Sequence, residues 1–502
     1  MTHAGLMGFV DRLGRQLFPR NNYNRITLTD FVRSAGEVVR MSEVHPYIPN
    51  SDGEIRRRML DDIGLKSIDE LFDDIPPALR SKAQLPIMSK LSEMEARRYV
   101  EGLLSKNQST RDILSFLGAG VWPHHVPAAI DAVISRGEFL TSYTPYQPET
   151  SQGMLQSMFE YQSLICDLTG MDYANSSLYD WSTALGEAAR MVSRATGRDE
   201  FVVSHCIHPE RLQTLKTFCD PADIKIVEVS QDRETGHVDL SELGRKLSSR
   251  TAGVYLESPS FLGFVEESCD DIAHLTHDRG ALFVVGCEPI SLGALKPPGE
   301  LGADIVVGEG QPLGNHMNFG GPLLGIFACK GQGLLRQMPG RIIGRTTTQD
   351  GKQDAYCMAL QTREQHIRRG KATSNICTNE ALLALAAAMY LSLLGPGGIT
   401  ELSATILDRT NYAIEQIRKL RGVKAPAFNA FHYMEFTVNF GDTGKRVSEI
   451  NDALLAAGIQ GGLDLSTYFP ELGHTALYCF TEVHTHRDID MLADELRLIL
   501  GS

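Results

Sequence analysis

DIVVGEGQPLGNHMNFGGPLLG, residues 304–325, is the stretch around which the rest of the chain is organised. Ile305, Val306 and Val307 form a short apolar run that reads as a buried strand, and a second run, Leu323 to Ala328, follows. Between them lies a loop with glycines at 308, 310, 314, 320 and 321. A strand that ends in a glycine-lined loop brings backbone close to a ligand. With no ligand, the same glycines read as tight-turn residues. The loop holds no Lys, Cys or Asp, and Lys296 and Lys330 lie outside it. A cofactor loop of this kind has no nucleophile of its own.

Upstream of this stretch, strands and helices alternate. Strand-like runs at 201–204, 224–229, 253–256 and 281–285 are separated by helical patterns at 209–218, 239–248 and 270–279. That alternation predicts a mostly parallel sheet covered on both faces, with ligands beyond the carboxyl ends of its strands. Two helices precede it, one in GMLQSMFEYQSLICDLTG from Gly153 and one from about Ser182 to Thr196. The segment Thr144–Pro148, TPYQP, carries two prolines and reads as a rigid polar loop, functional or merely connecting.

Downstream, TNEALLALAAAMYLSLLG predicts a long helix over 378–395 ending at Gly-Pro-Gly-Gly. Shorter elements follow: helices near 399–420, 445–457 and 486–500, and strands near 431–439 and 475–481. The expected domains are an N-terminal extension (1–44), a helical arm (45–110), a large α/β domain (111–395) and a small α+β domain (396–502). Residues 1–40 carry six Arg, no Lys and three acids. That composition suits an upstream extension with Met41 as the working start, or else a transit peptide.

Composition narrows the partners. A net charge of −14 over 502 residues lacks the basic face that nucleic acid requires. No single apolar run reaches the roughly 18 residues of a membrane helix, so no membrane partner is expected. Nine scattered cysteines without a CxxC pair suit reduced thiols, and cytoplasmic is the default location.

Large α/β domain, long helix and small α+β domain is the order found in fold-type-I pyridoxal phosphate enzymes. The motifs FLGAG (116–120), TPYQPETSQG (144–153), LTGMDYANSSLYD (168–180), LKPPGELGADIVVGEGQPLG (295–314), FGGPLLG (319–325), RQMPGR (336–341), LQTREQHIRR (360–369) and KATSNICTNEAL (371–382) resemble one family. It is the glycine decarboxylase P-protein of the glycine cleavage system, specifically subunit 1 of the two-subunit form. The resemblance runs from about His45 to the C-terminus.

The resemblance implies an α/β, fold-type-I pyridoxal phosphate-dependent transferase fold. It also implies a complete enzyme that decarboxylates glycine through pyridoxal phosphate and passes the aminomethyl group to the lipoyl arm of H-protein. In the two-subunit form subunit 2 carries the Schiff-base lysine, and subunit 1 completes the active site across the interface. The cofactor is then bound covalently by subunit 2, and the family expectation is a heterotetramer of two plus two. The residues can be compared with that pattern. Gln311 stands near the place of the lysine, and an amide forms no Schiff base. Glu288, in GCEPISLG, stands where the family has an Asp that pairs with the pyridinium, unless it is a surface or interface carboxylate. Trp181 stands where a phosphate cup needs a small residue.

By the same resemblance the TPYQPETSQG loop approaches the partner's cofactor. Tyr146 would touch substrate, and Gln147, Glu149 and Ser151 would shape the loop. Thr373, Ser374 and Asn375 would contact the partner's phosphate, and Arg363, Arg368 and Arg369 would pair with a carboxylate or phosphate. A purely interfacial role is the alternative for each. His124, His125 and His316 read as loop residues, and Cys287 and Cys377 as small core residues. Two rival readings stay open: a self-sufficient pyridoxal phosphate enzyme using Lys330 or Lys371, and a non-catalytic scaffold for subunit 2.

Overall fold

A computed structural model describes residues 47–82, 91–143 and 145–501. The expectations for residues 1–40, and the placement of Thr144, lie outside the described residues. Two compact units divide the chain between Leu104 and Ser105. In the first, helix α1 (Gly53–Asp62) starts at Asp52, whose carboxylate accepts from the amides of Glu54 (2.9 Å) and Ile55 (3.0 Å). Helix α2 (Glu93–Leu104) follows, and neither helix buries a residue.

In the second unit, after short elements at Leu114–Ser115, Ala128–Ile134 and Gly137–Leu140, come α3 (Gln152–Thr169), short strand β1 (Tyr173–Ala174) and α4 (Trp181–Thr196). Then strands and helices alternate: β2 (Glu200–Ser204), α5 (Pro209–Cys219), β3 (Lys225–Val229), α6 (Leu240–Lys246), β4 (Thr251–Glu257), α7 (Cys269–Asp278), β5 (Leu282–Cys287), β6 (Ile305–Glu309) and β7 (Gly325–Cys329). Seven strands form one sheet in the order β1-β7-β6-β5-β4-β2-β3. The pairs from β6 to β3 are parallel, and β7 and β1 are antiparallel additions. Every residue of β4, β6 and β7 is buried, as a doubly covered sheet demands. The stretch 304–325 thus runs up the last parallel strand and returns antiparallel beside it.

A hairpin absent from the sequence reading, β8 (Ile343–Thr347) with β9 (Asp354–Met358), lies outside this sheet. The helices expected at 378–395 and 399–420 are joined as α8 (Ala381–Ile417). The break comes at Gly395, at φ 61° and ψ −177°, a conformation glycine adopts without a Cβ penalty, and Pro396 opens the second limb. Among the described residues α8 is the one helix long and apolar enough to cross a membrane. Its Ala384, Ala386, Ala387 and Ala388, with Tyr390 and Leu391, lie in the main core of this unit.

The chain ends with β10 (Glu435–Asn439), α9 (Val447–Ala456), β11 (Leu463–Asp464), β12 (Thr475–Cys479) and α10 (His486–Leu500). Its antiparallel sheet, β10-β12-β11, shares a second core through Phe436, Phe440, Leu454, Phe480 and Leu492.

Candidate functional site

Sheets of this kind bind ligands beyond the carboxyl ends of their parallel strands, here β4, β5 and β6. That space is filled by the protein itself. Asp180 caps α4 by accepting from Thr183 N (2.7 Å), and this sets Trp181 at the first helical position. The indole lies over β5 at Gly286, where a Cβ would come within 2.7 Å of the ring and 2.4 Å of the Tyr255 hydroxyl. Trp181 Nε1 donates to Tyr255 Oη (3.0 Å), which donates to Glu257 Oε1 (3.0 Å). Arg211, from α5, pairs with Glu257 Oε2 at 2.9 Å and places its guanidinium carbon 3.4 Å from the Trp181 ring centroid. What remains is a cavity of about 20 Å³, lined by Trp181, Arg211, Glu257, Glu288, Tyr433 and Glu435 among others. A space of that size holds about one water. It does not fit pyridoxal phosphate.

Glu309, at the end of β6, ties the place together. Its carboxylate accepts from the backbone amides of Leu324 (2.8 Å), Gln311 (3.0 Å) and Trp181 (3.3 Å), and burial pushes its pKa up to about 8. Gln311 is buried, and its amide nitrogen donates to Asn315 O (2.6 Å). It offers no amine where the sequence reading placed the missing lysine. Lys330 follows the last residue of β7, and Cys329 pairs with Ile305 at the start of β6. This lysine therefore sits at the opposite edge of the sheet, where it donates to Gly299 O. Lys371 is exposed.

Glu288 is neither a surface carboxylate nor free to meet a pyridinium. It is buried and caps its own short helical turn, accepting from Ile290 N (2.9 Å) and Ser291 N (2.8 Å). Burial raises its pKa to about 6. Burial likewise raises Glu435 to about 7, although it accepts from Ala119 N (2.6 Å) and Trp122 Nε1 (2.7 Å). His124 is held by Glu482 at 2.9 Å, and His316 by Asp131 at 3.0 Å. No group of three or more metal-ligating side chains occurs among the described residues.

The residues read as lent to a partner form a second cluster. The Tyr146 hydroxyl bonds Asn379 Oδ1 and Thr378 Oγ1 (2.9 Å), and the Arg341 guanidinium carbon lies 4.8 Å from its ring centroid. The 146–151 loop and the 373–379 segment are thereby joined. Gln147 and Glu149 are exposed, and Ser151 caps α3 without a side-chain bond. Thr373 Oγ1 donates to Arg363 O (3.3 Å) and Ser374 Oγ to Glu187 Oε1 (2.8 Å), so both hydroxyls are used within the chain. Asn375 is exposed. Arg363 is buried and donates to the carbonyls of Met338 and Gly340, and Arg368 donates to Thr362 O (3.1 Å). Arg369 stays exposed, between cavities of about 480 and 560 Å³ that share it as a wall. Cys287 is buried, whereas Cys377 is exposed and not a core residue, its carbonyl accepting from Arg341.

Sequence reasoning missed Arg211, Tyr255, Glu257 and Glu187. The available signal was an acid directly after the apolar run 253–256, and an Arg and a Glu on otherwise apolar helix faces.

A family model described as glycine cleavage system P-protein matches residues 45–496. A protein of Staphylothermus marinus named probable glycine dehydrogenase (decarboxylating) subunit 1 is 49% identical over 465 residues, covering 91% of this chain and 98% of that protein. A protein of the same name from Thermococcus kodakarensis is 48% identical, over 91% of this chain and 98% of its own length. A solved structure of a glycine decarboxylase (P-protein) of the glycine cleavage system, in inhibitor-bound form, superposes with a TM-score of 0.78 at 36% identity. It covers 89% of this chain and 98% of its own. From arm to C-terminal helix, the chain belongs to the glycine cleavage system P-protein family.

Proposed function

We propose that this chain is subunit 1 of a glycine decarboxylase and turns over only with a subunit 2. The family is pyridoxal phosphate dependent. On this reading subunit 2 holds the cofactor on a lysine, glycine loses its carboxyl group as CO₂, and the aminomethyl group passes to the lipoyl arm of H-protein. The assembly is a cytoplasmic heterotetramer of two copies of each subunit. One observation carries the reading: Gln311 stands at the end of β6 while Trp181 and Arg211 fill the space before it. The chain's contribution is then made outward, by the exposed loop residues Gln147 and Glu149 and by Asn375, with Tyr146, Ser151, Thr373 and Ser374 shaping those loops.

A scaffold role has its own support, because the Tyr146, Thr373 and Ser374 hydroxyls are all engaged within the chain. The deciding experiment mixes the purified chain with subunit 2 and measures glycine–bicarbonate exchange. The chain alone should retain no cofactor and show no exchange, and the mixture should show both. Exchange by the chain unaided, or failure of the two subunits to associate, would refute the proposal.

A further inference from the structure

Helix α4 buries a carboxylate on a face of small apolar residues. Ala184, Leu185, Gly186, Ala188 and Ala189 are all buried, and Glu187 among them is 4% exposed. Burial raises its pKa, and Arg194 and Arg190 oppose that shift, yet neither comes within ion-pair distance. One oxygen accepts from Ser374 Oγ, and the other has no hydrogen-bond partner. A buried carboxylate costs more than the Ala or Leu that packing alone would favour here. What the fold gains is a hold on one hydroxyl.

That hydroxyl sets a turn. Ser374 Oγ donates to Glu187 and accepts from Ile376 N (3.0 Å). On the other side, Thr373 N and Oγ1 both donate to Arg363 O (3.2 and 3.3 Å). Residues 373–376 are therefore pinned from both sides, and Asn375 lies between the pins. It is exposed, and its side chain has no hydrogen bond within the described residues.

We infer that Glu187 is a positioning residue: through Ser374 it fixes the turn that presents the Asn375 amide to the partner's active site. This rests on the reading of the chain as subunit 1. Misplacing a contact group by about 1 Å can cost a hundredfold in rate, so the expected losses lie between about tenfold and a hundredfold.

The test uses the complex reconstituted with subunit 2 and measures kcat and KM for glycine in the exchange reaction, with assembly followed by gel filtration. Glu187→Ala, Ser374→Ala and Asn375→Ala should each lose activity in the same parameter while assembling normally. The double variant Glu187→Ala/Asn375→Ala should be no worse than Asn375→Ala alone, because both act through one contact. Glu187→Gln should recover most of the activity, since its amide oxygen still accepts from Ser374. If Glu187→Ala does not fold, Ser374→Ala decides, because it leaves the helix untouched. Unchanged kinetics in Ser374→Ala and Asn375→Ala, or additive losses in the double variant, would overturn the inference while leaving the subunit assignment standing. A wild-type pair that shows no exchange would overturn both.

Discussion

The guanidinium of Arg211 lies 3.4 Å from the centre of the Trp181 indole and 2.9 Å from the Glu257 carboxylate. A planar cation stacked on an aromatic ring and paired with a buried acid occupies the carboxyl edge of the sheet. Both side chains of the ion pair are almost wholly shielded from water, at 6% and 2% exposure. Cutting Arg211 back therefore does more than remove an attraction: it strands Glu257 as a buried charge. Arg211→Ala should lose about 3–5 kcal/mol of stability. Denaturant unfolding measures it, and a loss below about 1 kcal/mol would mean that the pair is solvated.

Opening the same space should not create a cofactor site. Trp181→Gly removes the indole and should cost about 3–5 kcal/mol as a large-to-small core change. Gln311 still offers no amine. Incubation with pyridoxal phosphate followed by borohydride should trap no stoichiometric adduct, and a stoichiometric adduct on Lys296 or Lys330, the lysines that flank the loop, would contradict the reading of that loop.

Glu309 gives a pH signature. Its folded pKa of about 8 lies above the ordinary carboxyl value of 4.5. The folded state thus binds the extra proton between those values. The stabilisation from the protonated acid is full below 4.5, falls as pH rises, and is lost above 8. Glu309→Gln removes that dependence. The melting temperature of the variant should gain on wild type from about pH 5 to 8 and then run parallel to it. A difference constant with pH would show that Glu309 does not titrate in this window.

Lys330 should be dispensable for turnover. It sits at the edge of the sheet away from the filled site and donates to Gly299 O. Lys330→Ala in the reconstituted complex should leave exchange within about twofold of wild type, the size of effect expected for a site distant from the chemistry. A complete loss would revive the self-sufficient enzyme.

The central strands β4, β6 and β7 were legible because they are buried on both faces and read as unbroken apolar runs, whereas the two-residue edge strand β1 was not read. The β8–β9 hairpin was not read either, since its residues are mostly half-buried or exposed and show no clean alternation. Gln311 and Trp181 could be found as residue types wrong for a position. Their companions could not. Tyr255 is 74 residues from Trp181, and only the tertiary fold brings them within a hydrogen bond. Thr373 and Ser374 looked like outward donors because a hydroxyl carries no sign of its direction. Their acceptors, Arg363 O and Glu187, come from 10 and 187 residues away. Glu288 was noticed as a carboxylate, but its use as a cap depends on the turn that follows it.

The anchoring of the Glu309 carboxylate by three amides has a bearing on how this chain can change over time. Trp181, Gln311 and Leu324 belong to three separate segments, and all lean on one acid. A lysine placed at position 311 would bring an ammonium into a space already closed by the indole. Clearing the indole alone would strip Arg211 of its stacking surface and yield no chemistry. Each of these changes taken alone is harmful. Positions 181, 211, 309 and 311 therefore constrain one another, and the filled edge of the sheet resists stepwise change.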